Sequence, residues 1–497
     1  MSKILIKNSA DSNIMWRGLG GHFDSISQVL NEFIDNSISN FKAHEPISRE
    51  VIISVIEKEG GKVLISVEDS GKGMRDLDHA FTLGSQIYKD SPLNEHGFGF
   101  KHAIATANPD NDSWMVATKT DADVKKGQFK TVHSPYSFDK LHAEIKKLNR
   151  DNWPGLFLGE TGTFIQFECS NELFDSVTNG IKGNHGFTNK IKLLAEDIGF
   201  TYSRIIKDGI ADIKVRYKSV SSKEKNLIVS AVEPDFEKYI GPGSGRAKID
   251  LNDGPINVEY EFSAIKKSDE LKKYYQKNMS TSGVEISLNG RVIAYSLFKE
   301  IWGIEKHNSY NYLLVRLNLI SNDLKKLPAT RTSKNGIRKG DDKILKVFQW
   351  IRTHLPEPVK NLKDSDDELD LFEKLANIKK SQLEEVADDL TLTTEQKVFK
   401  ELKDRVRIDL YQFTNNNLII YEGKKDETSL KDVYQLLMYW DGCVVDGMSP
   451  NKGILLASRH KASVIGFINI VNKMKDQEGR NYNLIAKTWK EEGIDYP

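Results

Sequence analysis

Between residues 26 and 41 the apolar positions return every three or four places. Ile26, Val29, Leu30, Phe33 and Ile34 would form the buried side of a helix. Gln28, Glu32 and Asn36 recur every fourth residue and would share one polar stripe on that helix. Over residues 1 to about 220, such amphipathic stretches alternate with short β-rich runs, VLISVED, TGTFIQFE and ADIKVRYK, the pattern of an α+β layer fold. Residues from about 245 to 335 form a second mixed segment. It carries the strand-like runs INVEYEF, GVEISLNGRVIAYSLF and YLLVRLNLI, with turn signals at Asp253-Gly254 and Asn289-Gly290. From residue 341 to 397 the pattern turns helical through DKILKVFQWIRTHL, a break at Pro356 and Pro358, and the acidic run DSDDELDLFEKLANIKKSQLEEVADD, which predicts a solvated helical connector. Mixed α/β patterning resumes over 398–497, and no internal repeat is present.

At 497 residues the chain has room for two or three cores. No apolar run approaches the roughly 20 residues of a membrane span, and the opening MSKILIKNSADSN is too polar for a secretory signal, so a cytoplasmic protein is expected. Two cysteines, Cys169 and Cys443, exclude a disulfide framework or a cysteine-rich zinc site. Lysine plus arginine equals aspartate plus glutamate at 71 each, so any contact with a polyanion must come from a local patch.

Four motifs converge on one chemistry. On the first helix, Glu32 can orient and deprotonate a water, and Asn36 can offer its side-chain oxygen to a hard cation such as Mg²⁺. In VLISVEDSGKGM an alternating strand delivers Asp69 into a turn built from Gly71 and Gly73, where a carboxylate can accept from an amino group such as that of adenine. In NEHGFGFKHAIA, Gly97 and Gly99 precede a helical run and free backbone N–H groups for phosphate oxygens, with Lys101 adding positive charge. Gly162-Thr163 makes a small turn entering a strand. The polar stretch HAFTLGSQIYKDSPLNE is long enough to act as a lid.

With these four boxes in order, the chain resembles the GHKL ATPase superfamily over roughly residues 20 to 335. Within it, LGSQIYKD followed by GFGFKHAIA looks closest to MORC proteins and the ninety-kilodalton heat-shock chaperones. The resemblance implies Glu32 as general base, Asn36 as Mg²⁺ ligand, Asp69 as adenine reader, Gly71, Gly73 and Met74 on the adenine side, and Gly97, Gly99, Phe100 and Lys101 about the phosphates, with Thr163 completing an ATP site. SLNGRVIAY resembles the transducer domain of MutL-, gyrase- and MORC-like proteins, in which a loop lysine reaches the γ-phosphate. Here the matching loop is LKKLPATRTSKNG, with Lys334 the candidate and Arg331 and Lys326 its alternatives.

Towards the C-terminus, Leu418, Ile420, Glu422 and Lys424 share strand parity, and Asp409 lies in the preceding run. Two carboxylates and a lysine at strand ends suit a Mg²⁺ or Mn²⁺ site that hydrolyses a phosphodiester, with Asp409 and Glu422 on the metal. Gln435 follows on a helix that Leu430, Val433, Leu437 and Met438 are expected to pack down. Asp409, Glu422, Lys424 and Gln435 resemble the PD-(D/E)XK nuclease pattern, with Ile408 where a proline often stands and Glu401 or Glu395 as a further acidic candidate.

The expected architecture is thus α+β and multidomain. It comprises a GHKL ATPase α/β sandwich over 1–240, a mixed α/β transducer domain over 241–340, a helical connector over 341–397 and a restriction-endonuclease-like α/β domain over 398–497. The expected function is an ATP-gated, metal-dependent DNA nuclease, by analogy suited to prokaryotic anti-phage defence or DNA repair. An ATP-promoted homodimer, with room for a further protein subunit, is carried over from the family. The alternative is a MORC-like or chaperone-like clamp whose C-terminal domain only binds DNA or protein.

Overall fold

The computed structural model describes residues 11–45, 48–83, 99–138, 140–183, 185–331, 336–338, 340–355, 357–358, 362–383, 390–399 and 406–494. The chain divides into two compact units, Met1–Val359 and Lys360–Pro497.

The first unit opens with helices α1 (Ser12–Leu19) and α2 (Ile26–His44), strands β1 (Glu50–Lys58) and β2 (Lys62–Asp69), and helices α3 (Leu77–Phe81) and α4 (Gly99–Ala107). Strand β3 (Trp114–Lys119), helix α5 (Asp121–Lys125) and strands β4 (Gln128–His133), β5 (Ala143–Lys147) and β6 (Gly162–Ser170) follow. Helices α6 (Asn171–Asp175), α7 (Phe187–Thr201) and α8 (Ser203–Lys207) then lead to strands β7 (Asp212–Lys218) and β8 (Lys225–Ile228). The eight strands form one sheet in the order β5-β4-β3-β6-β2-β1-β7-β8. Its core is built from the apolar stripe of α2, the buried alternates Val63, Ile65 and Val67 of β2, and Ile191, Leu194 and Ile198 of α7.

Helix α2 forms as its spacing predicts. Ser25 caps it by accepting from the Gln28 N–H, Gln28 accepts the N–H of Asp24, and Ile26, Val29, Leu30, Phe33 and Ile34 are all buried.

A second sheet of the same unit comprises β9 (Phe236–Asp250), β10 (Pro255–Ile265), β11 (Gly283–Leu288) and β12 (Arg291–Leu297), then helix α9 (Lys299–Trp302) and strand β13 (Leu313–Ile320). Its order is β12-β11-β13-β10-β9. Asn289 and Gly290 both take positive φ between β11 and β12, as a tight hairpin of right-handed twist requires.

Helix α2 is held at three points two turns apart, one through α7 and two directly by this sheet. Near the start, Ser27 donates to Asp197, which also receives the Lys273 ammonium at 2.7 Å and the Tyr274 hydroxyl at 3.0 Å. In the middle, Asp35 is fully buried and accepts from Arg291 Nε at 2.8 Å and the Tyr202 hydroxyl at 2.8 Å. Near the end, Lys42 donates to the Asn289 carbonyl at 3.3 Å.

The stretch 341–397 is distributed otherwise than a solvated connector. Helix α10 (Asp342–His354) buries Ile344, Val347, Phe348 and Ile351 in the core of the second sheet. Helix α11 (Leu362–Leu383) and strand β14 (Leu390–Val398) belong to the second unit, where Leu371, Phe372 and Leu375 are core residues. The acidic run hides a narrow apolar stripe, and the threonines of LTLTTEQKV suit a strand.

The second unit continues with β15 (Val406–Thr414), β16 (Asn417–Gly423), β17 (Glu427–Thr428), α12 (Leu430–Val445), β18 (Lys452–Ala457), β19 (Arg459–His460), α13 (Ala462–Val471) and β20 (Leu484–Thr488). Five strands form a mixed sheet, β14-β15-β16-β18-β20, antiparallel through β16 and parallel from there to β20. Helix α12 packs through Val433, Leu436, Tyr439 and Trp440, whereas Leu430 and Met438, expected to hold it down, are exposed. Among the described residues no helix is long and apolar enough to cross a membrane.

Removing one partner of a buried ion pair leaves an uncompensated charge, which typically costs about 3 to 5 kcal/mol. Arg291→Met is therefore expected to lower the unfolding free energy of the full chain's N-terminal unit, read from chemical denaturation, by that order. Asp35→Asn in the same background should recover part of the loss; no recovery would mean that the pair does not hold α2 to the second sheet.

Candidate functional site

Strand β2 ends at Asp69, and its alternation sends Glu68 and Asp69 to opposite faces of the sheet. Glu68 is buried and accepts from the Trp153 indole at 2.8 Å and the N–H groups of Leu156 and Phe157 at 2.5 and 3.0 Å, fixing that loop. Asp69 faces a cavity of about 160 Å³, far more than one water needs, walled by α2, α3, α4 and the first residues of β6.

Glu32, Asn36, Asp69, Gly73, Met74, Gly99, Phe100, Lys101 and Thr163 all line this one cavity. Gly71 stands just behind it and donates its N–H to Asp69 Oδ1 at 2.8 Å. The Ser37 hydroxyl donates to the other carboxylate oxygen at 3.1 Å. Asp69 is paired across the sheet with Thr163. Burial pushes its carboxyl up to about 6, against these hydrogen bonds and with a smaller contribution from the Glu68 charge.

Gly73 needs its positive φ of 70°, and a side chain there would strike the Lys119 carbonyl. The Met74 N–H donates to Thr118 Oγ1 at 2.7 Å and finishes the turn. Glu32 is almost fully buried, and a Cβ on Gly99 would overlap its carboxylate, so the start of α4 lies directly against the acid of α2. Phe100 packs edge-on against Phe33 and Phe81.

Lys101 differs in role from expectation. Its ammonium donates to the carbonyls of Ala80 and Thr82 at 3.0 and 2.9 Å, and burial lowers it to about 8. It ties α4 to the end of α3 while lining the cavity. Gly97, Lys334 and most of the stretch read as a lid lie outside the described residues. Neither alternative to Lys334 lines the cavity: Lys326 ends beside Gly254, and Arg331 borders a groove with Ile337 and Phe348.

Three residues that the motif reading passed over also contribute: Ser37, Asp35 and Asn40. Asn40 extends the Gln28, Glu32, Asn36 stripe by one more step, so its signal was in the spacing.

In the second unit, Asp409, Glu422, Lys424 and Gln435 gather at one end of β15 and β16. Asp409 is half-buried and accepts the Gly423 N–H at 2.9 Å, while Glu422 is fully buried and bonded to the Lys424 ammonium at 2.5 Å. Desolvation raises the Glu422 carboxyl far above its usual range, Asp409 raises it further, and Lys424 opposes both. Gln435 donates to the Tyr439 hydroxyl at 2.9 Å, and burial, then the nearby charges of Asp409 and Glu422, push that hydroxyl up, so Tyr439, four residues along α12, borders the cluster although the motif did not name it. Among the described residues no group of three or more histidine, cysteine or acidic side chains is arranged to hold a metal ion. Glu401 and the side chain of Glu395 lie outside the described set.

Residues 21–110 match the family of histidine kinase-, DNA gyrase B- and HSP90-like ATPases. That segment supplies α2, β2, α3 and α4, every wall of the cavity except β6. The N-terminal part of the chain is a GHKL-type ATPase domain within a mixed α/β multidomain protein. A solved structure described as "Crystal Structure of N terminal domain of a DNA repair protein" aligns with 69% of this chain and 96% of its own length, at 14% identity and a TM-score of 0.42. No curated protein matches the chain.

Because the ionised carboxylate is the stronger acceptor for an amino group, ATP affinity should fall as pH drops through about 6. Asp69→Asn should weaken ATP at neutral pH and remove that step, as read by calorimetric titration between pH 5 and 8. Without nucleotide the sign reverses: a carboxyl raised in the folded state favours folding at low pH and loses that contribution as pH rises through about 6.

Proposed function

We propose that this chain is an ATP-gated, metal-dependent DNA nuclease in which nucleotide state at the N-terminal cavity controls phosphodiester cleavage at the C-terminal cluster. The observation that carries the nucleotide half is the convergence of Glu32, Asn36 and Asp69 on one cavity, with Gly99 pressed against the Glu32 carboxylate. The donor set fits a magnesium nucleotide: an amide oxygen at Asn36 for the cation, and a carboxylate at Asp69 for the base. Bound Mg²⁺ would neutralise phosphate charge. Glu32 would orient and deprotonate the attacking water.

Support for the second half comes from two carboxylates, Asp409 and Glu422, held close under burial with one lysine beside them. Like charges at such a distance cannot both ionise without a counter-charge, and a divalent cation would relieve this better than Lys424 alone. That cation would supply positive charge at a phosphodiester. Lys424 would balance charge on the nucleophile, and Gln435 would hold Tyr439 beside the carboxylates. DNA as the partner, and ATP-promoted pairing of two chains, belong to the same reading.

Cleavage of plasmid and linear DNA, with Mg²⁺ or Mn²⁺ and with or without ATP, tests the proposal. The unaltered chain should cut in a nucleotide-dependent manner, Glu422→Ala with Lys424→Ala should abolish cutting, and Glu32→Ala should lower ATP turnover at least 100-fold. Intact ATP turnover with no cleavage under any condition would favour a clamp that holds DNA or protein without cutting.

A further inference from the structure

Asp69 presents an acceptor to the base, yet adenine's edge carries an acceptor beside its amino donor, and a lone carboxylate reads only half of that pattern. Resting on the nucleotide reading above, we infer that Asn40 supplies the other half: its Nδ2–H donates to the ring nitrogen flanking the amino group that Asp69 accepts.

The geometry fixes which way the amide points. Two successive backbone N–H groups of the turn after β2 donate to side chains: Gly71 to Asp69 Oδ1, and Lys72 to Asn40 Oδ1, both at 2.8 Å. A backbone N–H requires an oxygen as its partner, so the end of Asn40 that meets Lys72 is the carbonyl and the other end is the NH₂. Among the described residues that NH₂ has no acceptor, although Asn40 is half-buried and lines the cavity.

Both side chains also crowd the same glycine. A Cβ on Gly71 would stand 2.6 Å from Asn40 Oδ1 and 2.8 Å from Asp69 Oδ1, so one turn draws the oxygen ends of both side chains together and leaves the Asn40 NH₂ as the end not engaged by it. Ala43 and Met74, on the same wall, offer small and apolar surface to a ring. Guanine would bring a carbonyl oxygen against Asp69 and, on its pairing edge, an N–H against the Asn40 amide, reversing both contacts.

Asn40→Asp separates reading from scaffolding, since it keeps an oxygen for the Lys72 N–H and removes the donor, while adding a carboxylate near Asp69. Asn40→Ala removes both and introduces no charge beside Asp69. Affinities for ATP, 1-deaza-ATP and 7-deaza-ATP are measured by calorimetry on the full-length chain and both variants, alongside the melting temperature without nucleotide. The expected result is that the unaltered chain binds one of the two deaza analogues at least tenfold more weakly than ATP, about 1.4 kcal/mol. In both variants ATP should fall to the level of that analogue, while Asn40→Asp keeps the melting temperature of the parent. If both analogues keep the same ratio to ATP in the variants as in the parent, or neither is discriminated by the parent, Asn40 is a clamp for the turn and the assignment is overturned. Failure of the unaltered chain to bind ATP at all would instead overturn the nucleotide reading on which it rests.

Discussion

The buried pair between Asp35 and Arg291 is the constraint on which the first unit depends. Neither side chain is exposed beyond a few per cent, and they come from segments 256 residues apart in sequence. Taking two charges out of water is unfavourable unless geometry and further hydrogen bonds offset it. Here the Tyr202 hydroxyl completes the carboxylate, and its ring lies 5.9 Å from the guanidinium. The result is specificity of docking more than net stabilisation. Only one placement of α2 against the second sheet satisfies Asp35, and two turns away on either side Lys42 repeats the demand at the sheet's hairpin and Ser27 makes its own on α7.

This gives α2 two working faces, separated by roughly a third of a turn. Ser27, Asp35 and Lys42 are committed to the second sheet and its neighbours, and Glu32, Asn36 and Asn40 to the cavity. The same rigid helix therefore carries both the cavity residues and the partner of Arg291. The second unit solves a different problem. Its carboxylates sit where an antiparallel strand pair meets the first parallel strand, and the fully buried Glu422 is held by Lys424.

Much of this was legible in the sequence wherever periodicity and chemistry agreed. The stripe of α2, the alternation of VLISVED into Asp69, the Asn289-Gly290 hairpin and the 409, 422, 424 set each combined a repeat with a turn residue or a functional pair. Where the two diverged, reading failed. LDLFEKLANI carries its three core residues among so many acids that composition pointed to solvent, and LTLTTEQKV was absorbed into the helical trend before it. On α12 the face was misjudged because Tyr and Trp, rather than Leu430 and Met438, make the buried stripe. The partner of Asp35 could not be read at all, since nothing local marks an arginine so far along the chain as the counter-ion of a helix near its start.

The alternation at the end of β2 has one further implication. Glu68 and Asp69 are adjacent acids with unrelated tasks, one anchoring the Trp153 loop and the other facing the cavity, and only the pleat keeps them apart. Loss or gain of a single residue within the strand would turn the anchor towards the ligand and the reader towards the loop. Length here is under tighter control than identity: a conservative exchange at Ile65 or Val67 disturbs packing, whereas a three-nucleotide deletion in the coding sequence would turn each acid to the opposite face without altering the strand's character.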